Sequence, residues 1–262
     1  MQIPVDEWYR AIGVRRSRRA YKIEKPAQEI LERIRSVCHD LRPFPEARAE
    51  FILDPGRDIF RGIVGSYGRI ENAPFCVAFI GDMNSARVQE AVGYTGEGVI
   101  LEATALGLGS CWVGGFFRPE TIRERISMHE SERVLAVTPL GIPPDTFTFQ
   151  EKLMAGFGHM HKRRPLKDMV DRVPTNEWQR IALEAARLAP SAVNRQPWRF
   201  SLTEKAISIG LDVGRDSYKI ARRLDCGIAM LHLELGARHA GIKGNWTFPP
   251  DQVACYQDSD MH

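Results

Sequence analysis

Three stretches of the chain repeat apolar residues at the spacing of a helix face. Glu29 to Leu41 sets Ile30, Ile34, Val37 and Leu41 on one stripe. Val92 to Leu106 follows, closed by Gly107 as a C-cap. Glu177 to Ala189 places Trp178, Ile181, Ala185 and Leu188 on one face, with Asn176 before it as N-cap and Pro190 after it as a stop. Between these lie short β-rich runs read as strands: Glu50–Leu53, Phe75–Ile80, Val134–Val137, Trp198–Leu202, Ala206–Leu211 and Val253–Gln257. The helices alternate with strands, but the connections are too irregular for βαβ repeats. The pattern predicts an α+β fold.

The same pattern occurs twice. Shifted by 134 residues, Val92–Trp112 aligns without gaps on Cys226–Trp246. The shift pairs Gly93 with Gly227, Leu101 with Leu235, Ala103 with Ala237, Gly107 with Gly241 and Trp112 with Trp246. Each copy reads as a helix, a glycine stop and the start of a strand carrying Trp. Shifted by 149, Glu29–Leu41 falls on Trp178–Pro190 and Phe51 falls on Phe200. The order of elements is common to both halves, as a duplicated and fused chain requires. Two halves are expected, 1–160 and a shorter 161–262, with the seam near His161–Pro174.

Composition narrows the class without choosing within it. At 44% hydrophobic and 26% charged residues, the chain is an ordinary globular protein. A net charge of +3 is too small to argue for nucleic acid or an acidic membrane as partner. Five widely spaced cysteines without a CxxC suit reduced thiols of the cytosol, and a cytoplasmic location is expected. The first twenty residues carry Asp6, Glu7 and five Arg and lack a signal-peptide core. Gly98 to Phe117 is long and mostly apolar, but Glu102 and several glycines make it a buried helix followed by a strand rather than a membrane span. His159 and His161 have no third ligand at suitable spacing, so no metal site is expected.

Four runs carry candidate chemistry. Arg15-Arg16-Ser17-Arg18-Arg19 crowds four guanidinium groups into five residues, which favours an anion that can join them. A solvated basic patch would look the same. Pro190-Ser191-Ala192-Val193-Asn194-Arg195-Gln196-Pro197-Trp198 terminates a helix, yet a simple turn does not require Gln-Pro-Trp as well. Gly107-Leu108-Gly109-Ser110-Cys111-Trp112-Val113-Gly114-Gly115 is not a dinucleotide fingerprint, because Trp112 stands at the third glycine position and a helix precedes the run. Lys162-Arg163-Arg164 is a second basic group or a charged linker.

Together these runs resemble the nitroreductase-like flavoproteins, and most closely the fused, single-chain "putative TM nitroreductase" subgroup. The resemblance implies a nitroreductase-like fold of two pseudo-repeat halves, each a mixed or antiparallel sheet flanked by helices, forming a pseudo-dimer in one chain. It implies FMN as cofactor. Arg15, Arg16, Ser17 and Arg19 would hold phosphate and ribityl, with Lys162 and Arg164 completing the phosphate pocket. Trp112, Val113, Gly114 and Gly115 would bring backbone N–H to flavin N5. Pro190, Ser191, Ala192, Asn194 and Gln196 would grip the ring.

The implied activity is FMN-dependent NAD(P)H oxidoreduction, a ping-pong hydride transfer through N5 to a small nitroaromatic- or quinone-like acceptor. No catalytic acid or base is assigned. A flavin-binding protein without turnover and an electrostatic nucleic-acid binder built on Arg15–Arg19 remain alternatives.

The chain departs from the family in a patterned way. The ring-gripping loop arrives about 170 residues after the arginine run instead of shortly after it. Its first-half counterpart is Leu41-Arg42-Pro43-Phe44-Pro45-Glu46. Arg164, Leu166 and Asp168 stand opposite Arg15, Ser17 and Arg19, and Thr247-Phe248-Pro249 replaces the second Gly-Gly-Phe. One composite flavin site in a monomer is therefore expected.

Overall fold

A computed structural model of the chain describes residues 1–56, 59–60, 70–115, 117–149, 151–152, 162–216 and 220–259. The first half holds α1 (Val5–Val14), α2 (Gln28–Asp40), β1 (Ala47–Leu53), β2 (Phe75–Asp82), α3 (Val88–Ala105), β3 (Gly109–Ser110), α4 (Pro119–Arg123) and β4 (Glu132–Gly141). The second holds α5 (Glu177–Arg187), β5 (Trp198–Leu202), β6 (Ala206–Leu211), α6 (Arg222–His239), β7 (Gly244–Thr247) and β8 (Ala254–Asp258). The α+β class holds, with two four-stranded antiparallel sheets.

The halves repeat one plan. Each runs helix, two strands, helix, two strands, with α4 as an insertion in the first. The sheets are ordered β1-β2-β4-β3 and β5-β6-β8-β7, the same order counted from each first strand.

The halves share a core. One apolar cluster runs from Trp8 and Ile34 through α3 and α6 to Trp198, Phe200 and Tyr256. The helix α3 is buried nearly all round, as a helix apolar on every face must be. Its acids are paired, Glu90 with Arg223 and Glu102 with Arg33 and the Trp8 indole, which is how a buried charge is tolerated.

At the centre α3 and α6 touch backbone to backbone. A Cβ on Gly93 would stand 2.0 Å from the Leu224 carbonyl oxygen, and one on Gly227 would stand 2.0 Å from that of Glu90. A shift of 134 residues carries Gly93 onto Gly227 and Glu90 onto 224, so the contact maps onto itself. Neither neighbouring carbonyl can rotate away as a side chain could. Gly93→Ala should therefore force the helices apart and destabilise the protein by about 3 kcal/mol, read by chemical denaturation. An unchanged midpoint would show that the helices do not meet there.

Some boundaries differ from the sequence pattern. The helix α3 begins at Val88 rather than Val92, and α1, which no stripe predicted, buries Trp8, Ala11 and Ile12. The strand expected over Val134–Val137 runs from Glu132 to Gly141, through Pro139. Beside Pro139 the ladder to β3 is interrupted, and Cys111 N–H donates to Thr138 Oγ1 (3.1 Å) instead of to backbone. Val113 exchanges backbone hydrogen bonds with Val137 (2.9 Å each way), and Arg18 N–H donates to Ser110 O (2.7 Å). These bonds fix two of the candidate runs against the first sheet. Among the described residues no helix is long and apolar enough to cross a membrane.

Candidate functional site

The arginine run, the Trp112–Gly115 segment and the Pro190–Asn194 loop meet in one groove, built from two joined compartments. The first is a cleft of about 840 Å³, counting the solvent at its open mouth. Trp112, Val113, Gly114 and Gly115 form one wall, and Pro190, Ser191, Ala192 and Val193 form another. Ile220 and the first turns of α6, through Leu224, Asp225 and Ile228, complete it. It is an apolar slot.

The second compartment is basic. Arg15, Arg16, Ser17, Arg19 and Arg163 line it, with Asn194, Phe147 and one carboxylate, Glu151, which accepts from Arg18 Nε and from the Arg19 and Thr148 N–H groups. Ser17, Arg19, Pro190 and Ser191 border both compartments and so mark the passage between them.

Arg15 decides what the basic compartment wants. The residue is only 8% exposed, and its buried Nη1 has no hydrogen-bond partner. Burial lowers its guanidinium pKa, with Glu97 opposing. Burial also brings Arg163 down to about 10, and Arg15, Arg187 and Arg16 push it the same way. Orphaned, desolvated donors of one sign cost free energy unless an anion completes them. A phosphate dianion supplies the acceptors that planar guanidinium groups fit. The residues present therefore fit a phosphate at one end and a planar apolar group at the other.

The expected basic pair sits elsewhere. Lys162 and Arg164 do not line the groove, whereas Arg163 between them does. Arg163 Nη1 donates to Asn194 Oδ1 (2.8 Å), while Arg164 turns toward Asp212 (3.7 Å). The Lys162 carbonyl accepts from Asn194 Nδ2 (2.8 Å) and Gln196 Nε2 (3.2 Å). Gln196 is buried behind the loop rather than on the groove, and its Oε1 accepts from Arg164 N–H (2.8 Å). Arg18 does not line the groove and donates to Glu151 and the Pro144 and Thr146 carbonyls. His159 and His161 lie outside the described residues, and no metal-ligand cluster occurs among those described.

The loop itself is held under strain. Val193, Asn194 and Gln196 have φ of 47°, 56° and 47°, a region that costs non-glycine residues roughly 1–2 kcal/mol each. Ser191 Oγ accepts Gln196 N–H (2.9 Å), and Asp225 takes Ala192 N–H (3.0 Å) and Arg195 Nε (2.5 Å). Three left-handed residues within four positions are over-determined by these bonds, as strained site loops are. No turn signal in the sequence named Asp225, which lies 33 residues from its Ala192 partner.

Burial raises the Asp225 carboxyl from its ordinary 3.8 to about 6, outweighing Arg195 and the Ala192 N–H. The folded chain thus holds this proton more tightly than the unfolded chain. The carboxyl's contribution to stability is full below about pH 4 and is lost as pH rises through about 6, on the order of 3 kcal/mol in all. In Asp225→Asn that decline should vanish, read as a flatter denaturation midpoint between pH 4 and 6. A slope unchanged by the substitution would exclude Asp225 as its source.

Over residues 7–237 the chain matches the family described as "Putative TM nitroreductase", and it belongs to that family. A solved structure described as a putative nitroreductase from Thermotoga maritima shares the fold, with TM-score 0.62 and 21% identity over 95% of this chain and 93% of that one. A protein named "Putative NADH dehydrogenase/NAD(P)H nitroreductase" from Archaeoglobus fulgidus is 28% identical over 161 residues, 56% of this chain and 91% of that relative. One of the same name from Methanothermobacter thermautotrophicus is 28% identical over 151 residues, 52% of this chain and 76% of that relative. The chain is an oxidoreductase of the nitroreductase type.

Proposed function

We propose that the protein is an FMN-dependent NAD(P)H oxidoreductase that holds one flavin in this groove and reduces a small planar acceptor. The buried Arg15 guanidinium with its unpartnered Nη1, opening onto a basic compartment continuous with an apolar slot, carries this reading. Bound FMN would supply the redox chemistry, taking a hydride from the nicotinamide and yielding it to the acceptor.

The chain's own residues bind and orient. Arg15, Arg16, Arg19 and Arg163, with Ser17, would hold phosphate and ribityl. Their charge also favours the extra negative charge of a reduced ring. Gly114 and Gly115 would present backbone N–H groups to the ring edge, where glycine allows close approach, while Val113 N–H stays on the Val137 carbonyl. Pro190–Val193 would cover one face, while Ile220 and Ile228 keep water from the slot. The two halves already form the interface that such a site needs, so a monomer is sufficient.

Purified protein should be yellow or become so with FMN, and denaturation should release FMN. NADH or NADPH should then be oxidised with a quinone or nitroaromatic acceptor. Release of FAD, or no uptake of FMN by the apoprotein, would refute the cofactor. Uptake without nicotinamide oxidation would leave a flavin binder in place of an enzyme.

A further inference from the structure

One buried acid–base pair beneath the groove has no part in the binding roles above. Glu97 of α3 and His232 of α6 are fully inaccessible, with His232 Nε2 2.9 Å from Glu97 Oε1. Nδ1 of His232 lies 3.1 Å from the Ala185 carbonyl oxygen. A carbonyl only accepts, so Nδ1 carries a hydrogen. Nε2 must then either donate as imidazolium to a carboxylate or accept from a protonated Glu97. In both arrangements the pair holds one proton between these two atoms.

The second carboxylate oxygen, Oε2, accepts the Trp112 indole N–H at 2.7 Å. Trp112 begins the wall that ends at Gly115. Its ring is wedged in place, 4.8 Å from Phe79, and a Cβ on Gly96 would stand 2.4 Å from Cη2. One residue on, Val113 is bonded both ways to Val137. The wall is thus pinned at the backbone from the first half and at the indole from a pair that the second half completes.

We infer that Glu97 and His232 are positioning residues for the flavin-facing backbone, acting through Trp112; this rests on the FMN reading above. The carboxylate supplies an acceptor for a buried indole N–H that would otherwise go unpaired. His232 supplies the proton that lets the carboxylate stay in a dry core. Among the described residues no hydrogen bond joins the side chains of Glu97, His232 or Trp112 to the phosphate end, but the Glu97 charge acts on Arg15 and Arg163 there. Trp112→Phe, which keeps that charge, is therefore the variant that separates ring placement from affinity.

Glu97→Gln can keep every bond, its amide oxygen accepting from Trp112 and its amide N–H donating to neutral His232. Glu97→Leu breaks the tether. Trp112→Phe removes the indole N–H together with part of the ring's packing and leaves the Glu97–His232 contact in place, which guards against a misfolded leucine variant. The first readout needs no flavin. In the apoprotein the Trp112 indole N–H resonance should be protected from solvent exchange in wild type and Glu97→Gln, and should lose protection in Glu97→Leu.

The second readout is anaerobic flavin reduction by NADH together with FMN affinity and midpoint potential. Glu97→Leu and Trp112→Phe should slow reduction at least about tenfold, and in Trp112→Phe FMN affinity should change less than about fivefold, because a displaced ring costs rate before it costs binding. Glu97→Gln should restore most of that loss. A protected indole in Glu97→Leu, an unchanged reduction rate, or equal impairment in Glu97→Gln would overturn the role. Wild type that takes up no FMN overturns the flavin reading and the role together. The tether alone is still measured in the apoprotein.

Discussion

Arg19→Glu is expected to weaken FMN binding at least about a hundredfold, equivalent to about 2.7 kcal/mol, while the fold survives. Arg19 borders both compartments, where a carboxylate would face the phosphate in place of a cation. Each charge-assisted hydrogen bond it loses is worth about 1.5–3 kcal/mol. Arg18→Glu is the informative contrast. Arg18 does not line the groove itself but pairs with Glu151, which does, at 3.2 Å, and glutamate there would set two acids face to face. That variant should lose stability and keep more of its affinity for FMN. Equal losses of affinity would mean that the run attracts the ligand only as diffuse charge.

Arg15→Met extends the same logic with the opposite sign for stability. In the apoprotein it removes a buried donor with no partner, so the variant should be about 1 kcal/mol more stable than wild type. With FMN present the order should reverse, because wild type gains binding free energy that the variant cannot. Binding sites commonly trade stability for function in this way. Destabilisation of the apoprotein by Arg15→Met would make Arg15 a structural residue instead. Titration melts with and without FMN separate the two.

The readable parts of the sequence were those governed by local chemistry. The stripe of α2, the cap and stop of α5, the β-branched runs of β2 and β6, and the glycine repeat at 93 and 227 follow from periodicity and internal comparison. The meeting of the three distant runs was implied only by their joint resemblance to the nitroreductase-like family. Contacts set by tertiary structure were not legible. Arg163 rather than its neighbours faces the groove, a choice that the loop's tertiary contacts make and composition alone does not. Asp225, Glu97 and His232 act through partners 33, 15 and 135 residues away, and none belongs to a motif. The helix α1 was hidden because its buried face is only Trp8, Ala11 and Ile12 among charged residues.

The chain should bind one FMN per polypeptide, as a monomer. The pseudo-symmetry says where a second would sit, and what occupies that place. By the 134-residue shift, Gly114 and Ile228 of the groove correspond to Phe248 and Tyr94; by the 149-residue shift, Val193 corresponds to Phe44. Each lining position has become a larger aromatic, and the three pack on one another. Phe44 meets Tyr94 edge-on at 5.1 Å and Phe248 at 5.9 Å, and Arg87 lies 4.5 Å over the Phe248 ring. Glu46 ties the neighbouring loop to Arg87 at 3.5 Å.

A planar ring cannot enter between side chains already in contact, and edge-to-face pairs add about 0.5–1.5 kcal/mol each against opening. The phosphate end is equally altered, with Leu166 and Asp168 opposite Ser17 and Arg19. Flavin absorbance against protein concentration, combined with mass from light scattering, should give a ratio near one and the mass of a single chain. A ratio of two would refute the filling argument, and an obligate dimer would show that joining the halves did not replace assembly. Phe44→Ala with Phe248→Gly should leave that ratio at one while lowering stability by about 1–2 kcal/mol per partly buried aromatic removed, since the mate site would gain space without gaining donors for a phosphate.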